Sequence, residues 1–164
     1  MTHEYDKHFL ACFNYAKRSP DRSTQNAAVL ISKSGAIISQ TLSANDFPHS
    51  VPKSSDRLER PTKYFYTEHA ERNAIYSAAN AGISTNGLTM VAIWASCADC
   101  ARSIIQSGIT TLVRYKLETP THWEASVDAA ETMFREADVR LIDISHEIVG
   151  AESLLLNGKE WSPK

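Results

Sequence analysis

Two short motifs in the sequence carry residue types that can bind a metal ion. His69 begins the run HAE, and Cys97 and Cys100 form a CxxC pair further along the chain. A CxxC pair alone is ambiguous, because it could be a redox pair, half of a structural zinc site or two buried cysteines. One imidazole and two thiolates together suit Zn²⁺, and three protein ligands leave a fourth tetrahedral position for water. The three side chains therefore predict a catalytic zinc centre.

Glu71 is the candidate for moving protons at this centre. It is too close to His69 to share one helical face with it, but from the first turn of a helix its carboxylate could reach a water on the metal. Zinc lowers the pKa of such a water from 15.7 toward about 7, so Glu71 could accept the proton and hydroxide could attack an amidine-like carbon. Glu71 would then protonate the ring nitrogen and the departing amine. The predicted chemistry is hydrolytic deamination with one zinc ion per subunit.

The first third of the chain predicts a helix, a hairpin and a long irregular segment. Apolar residues recur at helical spacing between about residues 3 and 18. The β-branched runs AAVLISK and AIISQTL are separated by Ser34 and Gly35, which predicts two antiparallel strands. Residues 43–66 contain several prolines and no periodicity, and loops of that length are commonly functional.

Both metal-ligand motifs fall at predicted helix starts in the rest of the chain. TEHAERNAIYSAANAG predicts a helix with Thr67 as N-cap and Gly82 as the stop. LTMVAIWA predicts a buried strand, and the next helix opens with Ser96 and Asp99, a capping-box pattern. TTLVRY, HWEASVDAAETMFREA and VRLIDI then predict strand, helix and strand. This alternation indicates an α/β fold with parallel strands.

The two motifs resemble a known signature. HAE and SCADC are similar to the HxE…PCxxC pattern of zinc nucleobase deaminases, in which the Glu is not a metal ligand. On this resemblance the chain is identified as a member of the cytidine deaminase superfamily. The resemblance implies a three-layer α/β/α cytidine-deaminase-like fold with a mixed five-stranded sheet. It also implies a homo-oligomer, because these domains usually complete the pocket with a neighbouring subunit.

Within the superfamily, the chain is most similar to deoxycytidylate (dCMP) deaminases. The runs KYFYTEHAERNAI, CARSIIQSGI and STQNAAVLI resemble theirs, and LSANDFP resembles a loop whose Asn contacts the nucleotide. The resemblance makes Asn45 the candidate for holding the sugar or base. It implies that dCMP and water give dUMP and ammonia.

Three departures from the dCMP deaminase pattern bear on the substrate. Ser96 replaces the usual Pro before the first cysteine, which removes no ligand and supplies a possible N-cap. Asp46 stands where that loop often has Gly, so regulation by dCTP and dTTP is not implied. Alanines in QNAAV replace a common Val and Gly.

A 5′-phosphate would need cationic partners, and four basic residues lie close to motif elements. They are Arg22, Lys63, Arg72 and Arg114. Arg22, Lys63 and Arg114 are taken as substrate-binding candidates, although each could equally be a solvated charge or a helix pair. Trp94 could stack on a base, but its strand pattern favours the core. His122 could line the pocket, but a plain helix-entry role is favoured.

Length, charge and cysteine content limit the class of protein. The 164 residues fit one domain, 1–164, whose last segment, 145–164, is weakly patterned. The net charge of −2 disfavours long nucleic acid and favours a small nucleotide. Three cysteines fit a disulfide framework poorly, and Cys12 lies on an apolar helical face. No signal or membrane-spanning segment is visible, so we expect a cytoplasmic protein without membrane contacts.

Three alternatives remain at this point. The same zinc machinery could serve another nucleobase, a modified nucleotide or a tRNA adenosine, since pocket shape decides the substrate. The protein could instead be a noncatalytic binding module in which zinc ties two helices together. A second zinc, held through His49 and Cys12, is a further and weaker possibility.

Overall fold

The structure is a computed structural model that describes residues 3–163. The helices are α1 (Asp6–Ala16), α2 (Lys63–Tyr66), α3 (Ala70–Asn80), α4 (Ala98–Gln106) and α5 (Thr121–Glu136). The strands are β1 (Ala27–Ile31), β2 (Ser43–Ala44), β3 (Thr89–Ala92), β4 (Thr111–Tyr115), β5 (Arg140–Ile144), β6 (Leu154–Leu156) and β7 (Lys159–Trp161).

Five strands form one mixed sheet in the order β2-β1-β3-β4-β5. Strand β1 is antiparallel to β2 and β3, whereas β3, β4 and β5 are parallel. The register places Val29 beside Val91, Val91 beside Val113, and Val113 beside Ile142. These directly opposed side chains form one apolar row across the sheet. The predicted mixed five-stranded sheet is confirmed.

Helices cover both faces of this sheet. All five residues of β1 are buried, as expected for a strand without a solvent-facing side. Helix α1 packs Phe9 and Phe13 on one face, and each such buried ring stabilises the fold by about 1.5–3 kcal/mol. On the other face, α3, α4 and α5 contribute Ala74, Ile104 and Phe134. The predicted α/β/α layering is therefore confirmed.

The predicted second arm of the hairpin is wrong over most of its length. A 3-10 turn occupies Ser39–Thr41, and the ladder resumes only at Ser43–Ala44. The hydroxyl of Thr41 accepts from the Leu30 amide at 2.9 Å and donates to the Ile38 carbonyl at 2.7 Å. The hydroxyl of Thr41 thus satisfies a β1 amide that a strand carbonyl would otherwise satisfy. The β-branched composition of the segment could not indicate this replacement.

The predicted start of the HAE helix is displaced by two residues. Helix α2 precedes it and has Thr67 as its C-cap, whose amide and hydroxyl both donate to the Lys63 carbonyl at 2.9 and 2.8 Å. Thr67 is therefore not the N-cap of α3, which is His69. The stop at Gly82 is confirmed, since this residue has φ of +69°, a conformation that favours glycine.

The predicted capping box at the start of α4 is also wrong. The N-cap is Cys97, without a side-chain cap, and the Asp99 carboxylate pairs with Arg102. The amide of Ala98 donates instead to the Ser126 hydroxyl on α5 at 2.9 Å. A hydroxyl from a neighbouring helix thus satisfies one of the first amides of α4.

The weakly patterned tail folds back on the domain. Strands β6 and β7 form a hairpin that buries Leu154 and places Trp161 edge-on against Trp94, with ring centroids 5.0 Å apart. The Gly158 amide donates to the Ser23 carbonyl at 2.7 Å, which ties the hairpin to the loop before β1. Between residues 3 and 163, no helix is both long and apolar enough to cross a bilayer.

Candidate metal centre and active-site cleft

Three predicted ligands converge at the starts of two helices. His69 is the N-cap of α3, Cys97 is the N-cap of α4, and Cys100 lies in the first turn of α4. The Nδ1 atom of His69 is 3.5 Å from each cysteine sulfur. Among residues 3–163, this is the only group of three or more His, Cys, Asp or Glu side chains with converging ligand atoms.

The sheet explains why these helix ends meet. Helix α3 packs against β1, β3 and α4, and its N-cap His69 contacts Cys97, which follows β3 and begins α4. Backbone amides and the helix dipole at both N-termini favour negative charge on sulfur. The pKa of Cys97 is lowered, because the Cys100 thiol donates a hydrogen bond to its sulfur and His69 does the same. A readily formed thiolate is the form of cysteine that binds metal.

The spacing of the donor atoms fits zinc. Zinc–sulfur bonds of 2.3 Å and zinc–nitrogen bonds near 2.05 Å at a tetrahedral angle place nitrogen and sulfur about 3.6 Å apart. The observed separation of 3.5 Å agrees for both sulfurs. One imidazole and two thiolates also form a common zinc donor set.

Arg72 lies beside the sulfur of Cys100. Its Nη1 is 3.6 Å from the Cys100 sulfur, and its guanidinium pairs with Glu68 one turn earlier. Burial alone would lower the pKa of Arg72, but its interactions with Cys100 and with the Glu68 carboxylate raise it. The sequence left phosphate binding open for Arg72. In the structure its guanidinium contacts the sulfur of Cys100, a predicted metal ligand.

Glu71 lies beside the ligand group without belonging to it. Its side chain is 2% exposed; Oε1 accepts from the Ser96 hydroxyl at 3.1 Å and Oε2 from the Asn26 amide at 3.4 Å. Burial raises the pKa of Glu71, and the positive charge of His69 opposes this. A carboxyl group whose pKa is moved toward neutrality can both accept and release a proton.

An open cleft leads to this carboxylate. Its floor contains His69, Glu71 and Cys97, and aromatic rings from separate segments line its walls. Trp123 at the start of α5 faces His69 edge-on, with ring centroids 6.1 Å apart. Trp94 is 8% exposed and packs in the core as predicted, yet it also lines the cleft and its indole donates to the Gln25 carbonyl at 2.7 Å.

Two of the four residues predicted to bind substrate line the cleft. They are Asn45 and Lys63. The amide of Asn45 already makes two backbone hydrogen bonds, accepting from Asn26 N and donating to Thr24 O, each at 2.8 Å. Asn45 therefore also fixes the loop that carries Asn26 toward Glu71.

Lys63 forms a buried ion pair in the cleft wall. Its ammonium lies 2.9 and 3.1 Å from the two carboxylate oxygens of Asp21, and the side chains are 7% and 9% exposed. Asp21 also accepts from the backbone amides of Ser23 and Thr24 at 2.7 and 3.1 Å. The pair thus holds α2 against the loop before β1.

The other two predicted residues do not line the cleft. Arg22 is exposed and pairs with Glu59 at 3.1 Å. Arg114 is 7% exposed and lies between Glu131 at 2.6 Å and Asp143 at 2.7 Å, where it joins α5 to β5.

The polar and charged residues of the cleft include five that were not predicted from the sequence. They are Asp21, Asn26, Arg60, Glu118 and Asn157. Asp21 belongs to a turn-forming run, and Asn157 belongs to the tail; neither segment shows a pattern that points to a site. Arg60 is the exception, because a basic residue three positions before Lys63 could have been included in the search for cations.

The remaining titratable candidates lie elsewhere. Cys12 is fully buried in the core, as predicted, and burial raises the pKa of its thiol. His49 is exposed in the loop between β2 and α2, and His122 is exposed in the first turn of α5. Among residues 3–163, no second cluster of metal-binding side chains joins His49 to Cys12.

The known proteins that this chain resembles in sequence include deaminases. The family model of the cytidine and deoxycytidylate deaminase zinc-binding region matches residues 2–116. An uncharacterized deaminase in the luxG 3′ region of Aliivibrio fischeri is 35% identical over 128 residues, covering 75% of this chain and 81% of that protein. The deoxycytidylate deaminase of Mus musculus is 30% identical over 145 residues, covering 83% of this chain and 77% of that protein.

A solved structure shares the fold. The dCMP deaminase of cyanophage S-TIM5, crystallised in complex with dCMP and dUMP, aligns with a TM-score of 0.67 over 88% of this chain and 99% of that one. The two sequences are 17% identical in that alignment, so the likeness describes the fold alone.

Proposed function

We propose that this chain, which belongs to the cytidine and deoxycytidylate deaminase family, is a zinc-dependent enzyme that hydrolyses dCMP to dUMP and ammonia. The observation that carries the proposal is the position of Glu71. A buried carboxylate lies at the floor of an open cleft, beside one imidazole and two sulfurs whose spacing fits zinc. A purely structural zinc site has no need of such a carboxylate.

His69, Cys97 and Cys100 would hold the metal, one ion in each chain. When bound, zinc supplies a Lewis acid that lowers the pKa of a water toward about 7. The side chains of the protein would bind the substrate and move the protons. His69 and the two cysteines leave the cleft side of the site accessible, since His69 and Cys97 line the cleft.

Glu71 would carry the protons through the reaction. Its carboxylate would accept one proton from the attacking water, whose oxygen adds to C4 of the cytosine ring. The same carboxyl group would deliver that proton to N3, take up the second proton from the new hydroxyl group on C4 and pass it to the 4-amino group. The C4–N4 bond breaks, ammonia leaves and the ring keeps a carbonyl at C4. Water supplies both the oxygen and the hydrogen atoms, so no further reactant is needed.

The cleft also supports a nucleotide as substrate. Its lining includes two cations, Lys63 and Arg60, together with the amide of Asn45. Such groups suit a phosphate and a sugar hydroxyl. Lys63 is already paired with Asp21, so Arg60, whose Nη2 contacts only the Ser23 hydroxyl at 3.0 Å among the described residues, is the more available cation. The similarity to a mouse deoxycytidylate deaminase favours dCMP.

A substrate panel tests the proposal. Purified zinc-loaded protein is incubated with dCMP, dCTP, cytidine, cytosine, guanine and a tRNA anticodon stem-loop, and ammonia release is measured. We expect the highest kcat/KM for dCMP. Release from guanine or the tRNA alone would replace dCMP with another substrate, and no release from any compound would contradict the enzyme assignment.

A substitution separates catalysis from a structural role of the metal. Glu71→Gln keeps the size of the side chain but cannot take up a proton. We expect one zinc per chain and parental folding, with turnover reduced by about 10²–10⁴-fold. Unchanged turnover would refute the role of Glu71. A cytoplasmic location and a homo-oligomeric state remain predictions, and light scattering of the purified protein tests the second.

A further inference from the structure

We infer that Ser96 is a positioning residue that holds the Glu71 carboxylate in its reactive orientation. The inference rests on the proposed function, because it concerns the side chain that would move the protons. It assigns a task to the position at which this chain differs from the dCMP deaminase pattern, where a proline is usual.

The geometry places one donor on each oxygen of the carboxylate. The Ser96 hydroxyl donates to Oε1 at 3.1 Å, and the Asn26 amide donates to Oε2 at 3.4 Å. Ser96 lies in the corner between β3 and α4, whereas Asn26 directly precedes β1. The two donors therefore come from separate elements and approach the two oxygens independently.

Such a pair of donors restrains a torsion that is otherwise soft. The last torsion of a glutamate side chain is broad and roughly two-fold, so packing alone does not fix the plane of the carboxylate. Ser96 is 1% exposed and Glu71 is 2% exposed, so water cannot readily replace a missing donor. The shorter of the two bonds is the one from Ser96, and it is the stronger restraint by distance.

The hydroxyl of Ser96 has no competing task in helix α4. The helix begins at Ala98 with Cys97 as N-cap, and no side-chain hydrogen bond caps it. The only hydrogen bond of the Ser96 hydroxyl among residues 3–163 is the one to Glu71. A proline at this position would offer no side-chain donor. The serine thus adds a contact to the carboxylate that the usual residue cannot make.

The inference predicts a specific kinetic effect. Glu71 would act on the reacting atoms rather than on substrate affinity, so loss of its restraint should lower kcat and leave KM nearly constant. A hydrogen bond to a charged group is worth enough to change a rate by about tenfold to 100-fold. We therefore expect Ser96→Ala to lower kcat for dCMP by at least about tenfold, with KM within about twofold of the parent.

Two further variants separate positioning from structure. Ser96→Thr retains the hydroxyl, and we expect kcat within about threefold of the parent. Ser43→Ala is the matched control, because Ser43 is also buried but its hydroxyl bonds to Thr41 and Ser77. We expect this control to keep the parental kcat. Zinc content should be the same in all of these proteins.

The inference is overturned if Ser96→Ala keeps the parental kcat, or if its only effects are on KM or zinc content. A second measurement does not depend on turnover or on the folding of the threonine variant. Infrared difference spectra of parent and Ser96→Ala, each compared with its Glu71→Gln derivative, isolate the carboxylate band of Glu71. We expect this band to shift when the serine donor is lost, and an unchanged band would overturn the inference. If the parent deaminates nothing, the proposed function fails, while the infrared comparison still decides the inference.

Discussion

The buried ion pair between Asp21 and Lys63 gives an unequal pair of stability predictions. Asp21→Asn leaves the Lys63 ammonium without its carboxylate partner in a site where the side chain is only 7% exposed. Lys63→Met leaves the Asp21 carboxylate, which keeps the amides of Ser23 and Thr24 as donors at 2.7 and 3.1 Å. We therefore expect the loss of Asp21 to be the more costly change.

The magnitudes follow from what remains buried. Removing one partner of a buried pair commonly costs about 3–5 kcal/mol, because an uncompensated charge is left behind. We expect about 3–4 kcal/mol for Asp21→Asn. For Lys63→Met we expect about 1–2 kcal/mol, since two amide donors still satisfy the carboxylate.

Urea denaturation at pH 7, followed by tryptophan fluorescence, measures both costs. The parent and the two variants should have similar m-values, so that midpoints report stability. In a chain of this size the expected costs correspond to melting temperatures lower by about 6–16 °C for Asp21→Asn and about 2–8 °C for Lys63→Met. The reasoning is refuted if Lys63→Met is the less stable variant, or if the two midpoints coincide.

Four other measurements test Glu71, zinc binding, the cysteines and Arg114. Burial raises the pKa of Glu71, so without metal the native protein binds a proton at Glu71 more tightly than the unfolded chain does. The native state therefore loses stability as the pH rises above the ordinary pKa of glutamate. With a chelator present at pH 7, the urea midpoint of Glu71→Gln should therefore be higher than that of the parent. At pH 4 the two midpoints should be equal. A parent that is more stable than Glu71→Gln at pH 7 would contradict the expected direction. Zinc at 100-fold above its Kd should stabilise the folded protein by about 2.7 kcal/mol. Removal of that zinc with EDTA should therefore lower the melting temperature. Cys100→Ser should lose the metal, by atomic absorption, whereas Cys12→Ala should keep it. Arg114→Met should cost about 1–3 kcal/mol in urea because two carboxylates lose their partner, with KM for dCMP unchanged; a raised KM would return Arg114 to the substrate site.

Several elements were predictable because their cause is local. The periodic runs of α1, α3, α4 and α5 and the buried runs of β1, β3, β4 and β5 were identified correctly. The errors lie where a side chain from another segment takes over a local task. Thr41 satisfies a strand amide and Ser126 satisfies a helix amide, and neither contact has a signature in the surrounding residues.

The wall of the cleft was harder to predict than the candidate metal site. A cation close to a motif in sequence can point away from it in space, as Arg22 and Arg114 do. The residues that line the cleft come from separate turns, α2 and the carboxyl-terminal hairpin, which meet only in the folded chain. Spacing along the chain carries no information about such a meeting.

The sequence by itself identified the residues that could form the metal centre. Two of them, His69 and Glu71, lie at one helix start, and the two cysteines lie at another. Residue type and this local spacing were enough to predict a metal donor set with a carboxylate beside it. Only the tertiary structure decided what surrounds them. The two donors on the Glu71 carboxylate and the cations of the cleft wall come from segments distant in sequence, and their positions depend on how the whole sheet and its helices pack.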